Sequence, residues 1–199
     1  MAGPRQDARR SLLALAGAQS GYFTAAQALH VGYTYSTQKF HVDHGNWVRV
    51  DRALFRLPEW PASPADSLIR WSLWARGRAV VSHDTALAAH ELGDANPAAV
   101  HLTVPQNFRS KAPGVRLHRG ELPAEDILER GGYRITTPLR TLLDVAAGNL
   151  DTDQLATAIA DSIEAGLLTR RQLLARADAF GDHAALRIER ALSQTRAEP

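Results

Sequence analysis

The stretch that most constrains the fold runs from residue 21 to residue 57, where helix signals alternate with turn signals. Thr24 followed three residues later by Gln27 forms a capping box, which predicts the start of a short helix. Ser36 is the next good N-cap and predicts another helix that ends before Gly45. Two short helices joined by a tight turn are therefore expected.

From Trp47 onward the apolar residues recur with a period of two, which predicts a hairpin turning at residues 51–53. Three arginines belong to this hairpin: Arg49, Arg52 and Arg56. Upstream, residues 8–18 space their apolar side chains as an amphipathic helix does. Three helices followed by a hairpin are typical of a winged helix-turn-helix, which places one helix in the major groove of DNA.

The third helix has no acidic residue over positions 34–42, and its polar side chains suit phosphates and base edges. Gln38 can pair with adenine, and Lys39 can reach guanine. The residues predicted to contact DNA are Thr34, Tyr35, Ser36, Thr37, Gln38, Lys39, His41, Arg49, Arg52 and Arg56. The alternative is a small helical subdomain whose arginines are only solvated surface.

The charge distribution favours the DNA interpretation. The net charge is only +2, but residues 1–60 hold seven Lys and Arg against four acids, which leaves 16 basic and 17 acidic residues for the rest. The positive excess therefore lies where phosphate would be bound. Because this excess is small, we expect moderate, salt-sensitive binding that needs a second copy or a second basic surface.

Three prolines within residues 58–64 mark a boundary, since they continue neither a helix nor a sheet interior. Beyond it, helix signals alternate with strand candidates at residues 100–104, 115–118 and 133–136. Three helices are predicted in the tail, at residues 151–165, 169–179 and about 182–193. The sequence thus predicts an α+β fold. A winged helix-turn-helix domain is expected over residues 1–60, and a mixed α/β domain with a helical tail over residues 65–199.

Catalytic patterns are weak. The adjacent residues Ser82, His83 and Asp84 cannot form a triad, whose members meet across a fold, and Ser82 is interpreted as an N-cap. Four histidines of this region are interpreted as scattered, because no metal-ligand spacing links them: His83, His90, His101 and His118. Asp151 and Asp153 suit a helix N-terminus, and cysteine is absent. We expect no active site, metal or cofactor, and hence no enzyme.

Residues 166–174 echo residues 21–29: both have a glycine, two apolar residues, a Thr–Gln capping box and a leucine. Convergence of good helix starts explains this best. The alternative is a second nucleic-acid contact, in which Arg170 and Arg171 face phosphate.

No apolar run approaches the roughly 18–20 residues that a membrane span needs. The arginines near the N-terminus precede only a short amphipathic helix and no apolar signal segment. A cytoplasmic protein without a membrane partner is the expectation.

Several segments, in order, resemble the AbiEi family, the antitoxins of type IV toxin–antitoxin systems. In the N-terminal part they are GYFTAAQAL, HVGYTYSTQKFHVDHGNWVRV and LFRLP. Further on they are VVSHDTALAAHEL, AVHLTVP, VRLHRGEL and YRITTPLRTLLDVA, which are similar to the second domain of that family. The resemblance covers most of residues 8–180.

The resemblance implies a protein that binds inverted repeats in double-stranded operator DNA, represses its own operon and neutralises a cognate nucleotidyltransferase toxin. Its recognition helix would fall on residues 34–41, and its wing arginines would be Arg49, Arg52 and Arg56. In the family, a glycine commonly precedes the aromatic residue of the second wing strand. This chain departs from that pattern, since it has Ala53, Leu54 and Phe55 at these positions, and a wider turn is therefore expected.

Two other classes of function stay open. A winged-helix transcriptional regulator would sense a small ligand with residues 65–199 and need no toxin partner. A nuclease would use the carboxylates and histidines of the same region. A neighbouring nucleotidyltransferase gene favours the antitoxin, and metal-dependent cleavage of nucleic acid favours the enzyme.

Overall fold

A computed structural model describes residues 3–194, and the chain divides into two compact units. The first unit runs to Arg78 and includes Glu129–Tyr133; the second holds Ala79–Leu128 and the chain from Arg134 onward. The first unit therefore extends past the proline-rich stretch at residues 58–64, where the sequence predicts the domain boundary.

The first unit begins with three helices and a three-stranded sheet. Its elements are α1 (Pro4–Gly17), β1 (Tyr22–Thr24), α2 (Ala25–His30), α3 (Tyr35–Asp43), β2 (Val48–Asp51), β3 (Leu54–Arg56) and α4 (Asp66–Trp74). The sheet has the order β1–β3–β2 and is antiparallel throughout, with Phe23 opposite Phe55. The sequence signals indicate the β2–β3 hairpin but not β1, whose partner lies about thirty residues away along the chain.

Local side chains determine where the helices start. The capping box before α2 is confirmed: the Thr24 hydroxyl accepts the Gln27 N–H at 3.2 Å, and the Gln27 side chain accepts the Thr24 N–H at 2.8 Å. The predicted cap of α3 at Ser36 is wrong. Thr34 caps this helix instead, because its extended backbone lets the hydroxyl accept the Thr37 N–H at 3.3 Å.

Aromatic residues form the centre of the first unit's core. The rings of Phe23 and Trp47 meet edge to face at 4.8 Å, and Phe55 packs against both. Gly21 is required beside this core, since its φ is +82° and a Cβ there would lie 2.5 Å from Trp60. Apolar residues of α1, α2 and the wing complete the cluster: Leu12, Ala16, Ala25, Ala28 and Leu57.

The second unit contains most of a five-stranded sheet and a group of helices. Along the chain lie β4 (Val80–Val81), α5 (His83–Ala89), β5 (Val100–Val104), β6 (Val115–Arg119), a 3-10 turn (Ala124–Asp126), β7 (Ile127–Arg130), β8 (Tyr133–Thr136), α6 (Pro138–Ala147), α7 (Thr152–Glu164), α8 (Arg170–Phe180) and α9 (Asp182–Gln194). The strand order is β6–β5–β4–β8–β7, with β4 antiparallel to β5 and parallel to β8.

Helices α6 to α9 bury the larger apolar core, which includes Leu142, Leu155 and Ile188. The end of α6 is held by Arg187, whose guanidinium donates to several backbone carbonyls: those of Val145, Ala146, Gly148 and Leu150. A cation at the end of a helix also suits the helix dipole. The molecule is an α+β protein with a helical C-terminal tail, as the sequence predicts.

Across residues 3–194, none of the helices combines the length and the apolar character that crossing a bilayer requires.

Candidate nucleic-acid interface

Helices α2 and α3 form a helix-turn-helix, and the buried side chain of Gln38 holds the two helices together by hydrogen bonds. Its side chain is 3% exposed, and its amide nitrogen donates to the carbonyls of Ala25 at 3.1 Å and Tyr33 at 2.9 Å. These bonds tie α3 to the start of α2 and to the turn. The prediction that Gln38 reads adenine is therefore wrong, because its hydrogen-bonding group is used inside the module.

Two further predicted contact residues have structural roles. His41 stacks on Trp47 with ring centroids 4.7 Å apart, and burial together with the nearby charge of His44 lowers the pKa of His41. Thr37 is half-buried, and its hydroxyl bonds that of Thr34 at 2.9 Å. Both side chains therefore have partners within the first unit, and their contact with DNA stays a prediction.

The outward face of α3 consists of Tyr35, Ser36, Lys39, Phe40 and Asp43, all of which are exposed. They lie at i, i+1, i+4, i+5 and i+8, which is one side of a helix. The Lys39 amine lies 2.5 Å from the Asp43 carboxylate, but the two side chains are 73% and 51% exposed. Such a surface pair contributes about 0–1 kcal/mol, so a phosphate or base can displace Asp43 from Lys39.

In the wing, Arg49 and Arg52 are exposed, and the Arg49 guanidinium lies 5.6 Å from the centre of the Phe55 ring. The turn is tight, since only Arg52 and Ala53 lie between the paired residues Asp51 and Leu54. Ala53 takes a φ of +60°, the conformation that glycine adopts most readily. The expectation of a wider turn is wrong.

The sequence predicts that Arg56 contacts DNA, but its guanidinium is already used by partners within the first unit. Its guanidinium donates to the Asp66 carboxylate and to the Pro61 carbonyl, each at 3.0 Å, and lies over the Tyr22 ring. The register places Arg56 at the end of the hairpin away from the turn, opposite Val48. It joins β3 to the segment around the start of α4.

Sequence reasoning missed two residues at this surface. Phe40 is 52% exposed on the outward face of α3, although an apolar residue in a short helix suggests core. Arg9 of α1 is exposed, and its charge acts on Tyr33 in the turn between α2 and α3: burial raises the pKa of Tyr33, and Arg9 partly offsets that shift. A cation at this turn adds to the positive surface.

A second concentration of polar side chains lies where β5, β6 and the start of α5 meet. His83 and His118 stack with ring centroids 3.5 Å apart, and His101 lies 5.2 Å from His118. The Ser82 hydroxyl bonds the His83 ring at 2.9 Å rather than capping α5, although Ser82 does occupy the predicted N-cap position. Asp84 lies 3.4 Å from the His101 ring.

These three histidines are not scattered, and that interpretation is wrong; only His90 lies apart, bonded to the Thr136 carbonyl. Burial, followed by the charges of neighbouring histidines, lowers the pKa of His83 to about 3 and that of His118 to about 4. Stacked rings do not point their nitrogens at one centre. Within residues 3–194 no group of three or more His, Asp or Glu side chains is arranged to hold a metal.

Other polar residues of the second unit have structural partners. Buried Asp126 accepts from Arg140 at 3.2 Å and from Arg176 at 2.8 Å. Asp151 caps α7 by accepting the Asp153 N–H at 2.9 Å, as helix-start acids do.

The capping box at Thr169 and Gln172 is confirmed. Arg170 donates to the Leu192 carbonyl at 3.2 Å, so this side chain is used within the helical tail. Arg171 is exposed. The two arginines therefore do not present a matched pair to phosphate.

No protein-family model and no curated protein matches this chain. Among solved structures, the crystal structure of the Rv2827c protein from Mycobacterium tuberculosis is similar, with 16% sequence identity and a TM-score of 0.49. That similarity covers 94% of this chain and 80% of the other. At this level it carries no inference about function.

Proposed function

We propose that this chain is a DNA-binding antitoxin: it binds double-stranded operator DNA through α3 and the wing, represses its own operon and neutralises a cognate nucleotidyltransferase toxin. One observation carries the DNA-binding part. The side chains that hold the helix-turn-helix together point inward, which leaves Tyr35, Ser36, Lys39 and Phe40 exposed along one face of α3.

The charges near this face support DNA as the ligand. The wing adds Arg49 and Arg52, and α1 adds Arg9 beside the turn. Exposed cations next to a helix of this kind contact phosphates and set the register of the protein on the duplex. The small number of cations on one copy supports binding by two copies to inverted repeats, with half-sites about one helical turn apart.

The antitoxin role rests on the resemblance of the ordered motifs between residues 8 and 180 to the AbiEi family. It predicts a nucleotidyltransferase gene beside the gene for this chain. Growth rescue on co-expression of the two proteins would support it. Binding to operator DNA without rescue would favour a ligand-responsive regulator instead.

The DNA-binding proposal is tested with the DNA upstream of the chain's own gene, titrated by fluorescence anisotropy at several salt concentrations. Replacing both Arg49 and Arg52 with alanine should weaken binding. It should also flatten the log–log salt dependence by about 0.9 for each phosphate that the variant no longer neutralises. Arg190→Ala, which removes an exposed arginine from α9, is the matched control. An unchanged slope in the double variant would exclude the wing from the interface.

A further inference from the structure

Two large aromatic side chains are exposed on the face of α3 that we assign to DNA. Tyr35 is 70% exposed and Phe40 is 52% exposed, while polar Gln38 on the opposite side is buried. Tyr35 is the first residue of α3, and the N-terminal part of a recognition helix is the part that reaches base edges. The helix thus offers apolar groups where base readout takes place.

Both rings are available to a ligand. Within the described residues, the Tyr35 side chain has no hydrogen bond or ring contact. Phe40 stacks on His44 with centroids 3.9 Å apart, and the His44 ring bonds the Phe40 carbonyl at 2.9 Å. His44 therefore covers one face of the Phe40 ring and fixes its orientation, while half of the side chain stays in water.

In the major groove, the one apolar feature of a base pair is the 5-methyl group of thymine, and apolar side chains recognise it by contact. Lys39 and Asp43 on this helix face pair with each other, and the exposed wing residues Arg49 and Arg52 supply the excess of positive charge. This positive setting fits a polyanion better than an apolar protein surface.

We infer that Tyr35 and Phe40 read thymine methyl groups, so that the operator carries thymines where α3 enters the groove. This inference rests on the proposed DNA-binding function and adds to it the class of base that is recognised. Ser36 and Lys39 lie between the two rings on the same face and supply the polar contacts to neighbouring bases or phosphates.

The experiment compares two versions of the same upstream DNA. One is amplified with thymidine triphosphate and the other with deoxyuridine triphosphate. Uracil lacks only the methyl group, so the pairing edges and the phosphates are retained. The full chain should bind the uracil version about fourfold more weakly if one methyl group is recognised and about fifteenfold if two are. Random-sequence DNA, prepared in both versions, corrects for non-specific binding.

Variants assign the effect to residues. Tyr35→Ala and Phe40→Ala should each weaken binding to thymine DNA and reduce the thymine-to-uracil ratio of affinities. Leu186→Ala, at an exposed apolar position of α9 in the second unit, should change neither value. Because the two aromatic side chains are exposed, unfolding midpoints close to that of the parent protein are expected and would show that the variants fold.

The outcomes are distinguishable. Tight, salt-dependent binding with equal affinity for both DNA versions would overturn the methyl readout and leave the DNA-binding function standing. Discrimination that persists in both aromatic variants would overturn the assignment to these residues. Variants that bind both DNA versions normally but no longer neutralise the toxin would show that this face binds protein. Failure to prefer upstream over random DNA would overturn the proposed function itself.

Discussion

At the scale of single residues, Gln38 carries two hydrogen bonds that close the helix-turn-helix. Gln38→Ala would remove a hydrogen-bond donor from the carbonyls of Ala25, at a buried position, and Tyr33, at a partly buried one. We expect this change to lower the free energy of unfolding by about 1–3 kcal/mol, measured by urea denaturation. Ser36→Ala, at an exposed position of the same helix, should stay within about 0.5 kcal/mol of the parent protein.

The alternative role of Gln38 gives a different result. A Gln38→Ala protein with unchanged stability but less discrimination between operator and random DNA would show that the side chain reads bases. Its burial at 3% exposure is the reason to expect the opposite.

The wing turn stores strain at one residue, Ala53, whose φ is +60°. The left-handed conformation costs an L-residue about 1–2 kcal/mol, and replacement by glycine removes this cost while it raises the entropy of the unfolded chain by a smaller amount. Ala53→Gly should therefore raise the free energy of unfolding by about 0.5–1 kcal/mol. Ala53→Val should lower it, since a β-branched residue resists this conformation. Denaturation curves in which the glycine variant unfolds first would contradict this account.

At the scale of elements, the histidines that lie where β5, β6 and the start of α5 meet make the free energy of unfolding depend on pH. The unfolded chain protonates histidine near pH 6.5, whereas the folded pKa of His83 is about 3 and that of His118 about 4. Between pH 6.5 and 4 the unfolded chain binds more protons, so the free energy of unfolding should fall as the pH falls. The facing groups Asp84, Arg116 and Arg140 modify these shifts but not their direction.

Buried Asp144 acts in the opposite direction. Burial raises its pKa from 3.8 to about 6, although the contact with Arg140 opposes the shift. The contribution of Asp144 to stability is therefore present at low pH and is lost as the pH rises through 6.

Removal of one histidine separates the effect of the histidines from that of Asp144. His118→Asn should flatten the loss of stability between pH 6.5 and 4, measured by thermal melts across that range. A parallel pH profile in the variant would contradict the histidine assignment.

Elements whose signals are local can be predicted from the sequence, and elements made by distant pairing cannot. The capping boxes before α2 and α8 lie within four residues, and the sequence predicts both correctly. The two-residue strand β4 has no pattern of its own, since it exists through its pairing with β5 and β8. The histidine cluster likewise depends on the β5–β6 register, which places Thr103 beside His118.

The sequence predicts that residues around α3 form a helix, but it does not predict which side chains of that helix are exposed. In α3 the polarity of the side chains opposes their burial: polar Gln38 is inside, and apolar Phe40 is outside. A helix of nine residues gives too few turns for hydrophobic periodicity to overrule two such exceptions. The wing arginines show the same limit, because Arg56 is held by an ion pair with Asp66, a residue beyond the proline-rich stretch that no local pattern connects to it.

At the scale of the whole molecule, charge is divided unevenly along the chain. The basic excess lies in residues 1–60, and the remaining residues are close to neutral, with 16 basic and 17 acidic side chains. A near-neutral region suits a protein partner better than nucleic acid, which requires a positive field. The second unit also has its own apolar core in α6 to α9. Removal of cations from the wing should therefore affect only one of the two proposed activities.

In the full-length chain, Arg49→Ala combined with Arg52→Ala should weaken repression of a reporter fused to the upstream DNA. The same double variant should still rescue growth when the proposed nucleotidyltransferase toxin is expressed, because both arginines are exposed and neither contributes to the core of the second unit. Arg190→Ala should retain both activities. Loss of rescue in a double variant with the parent's unfolding midpoint would show that neutralisation depends on the wing, and the two activities would then share one surface.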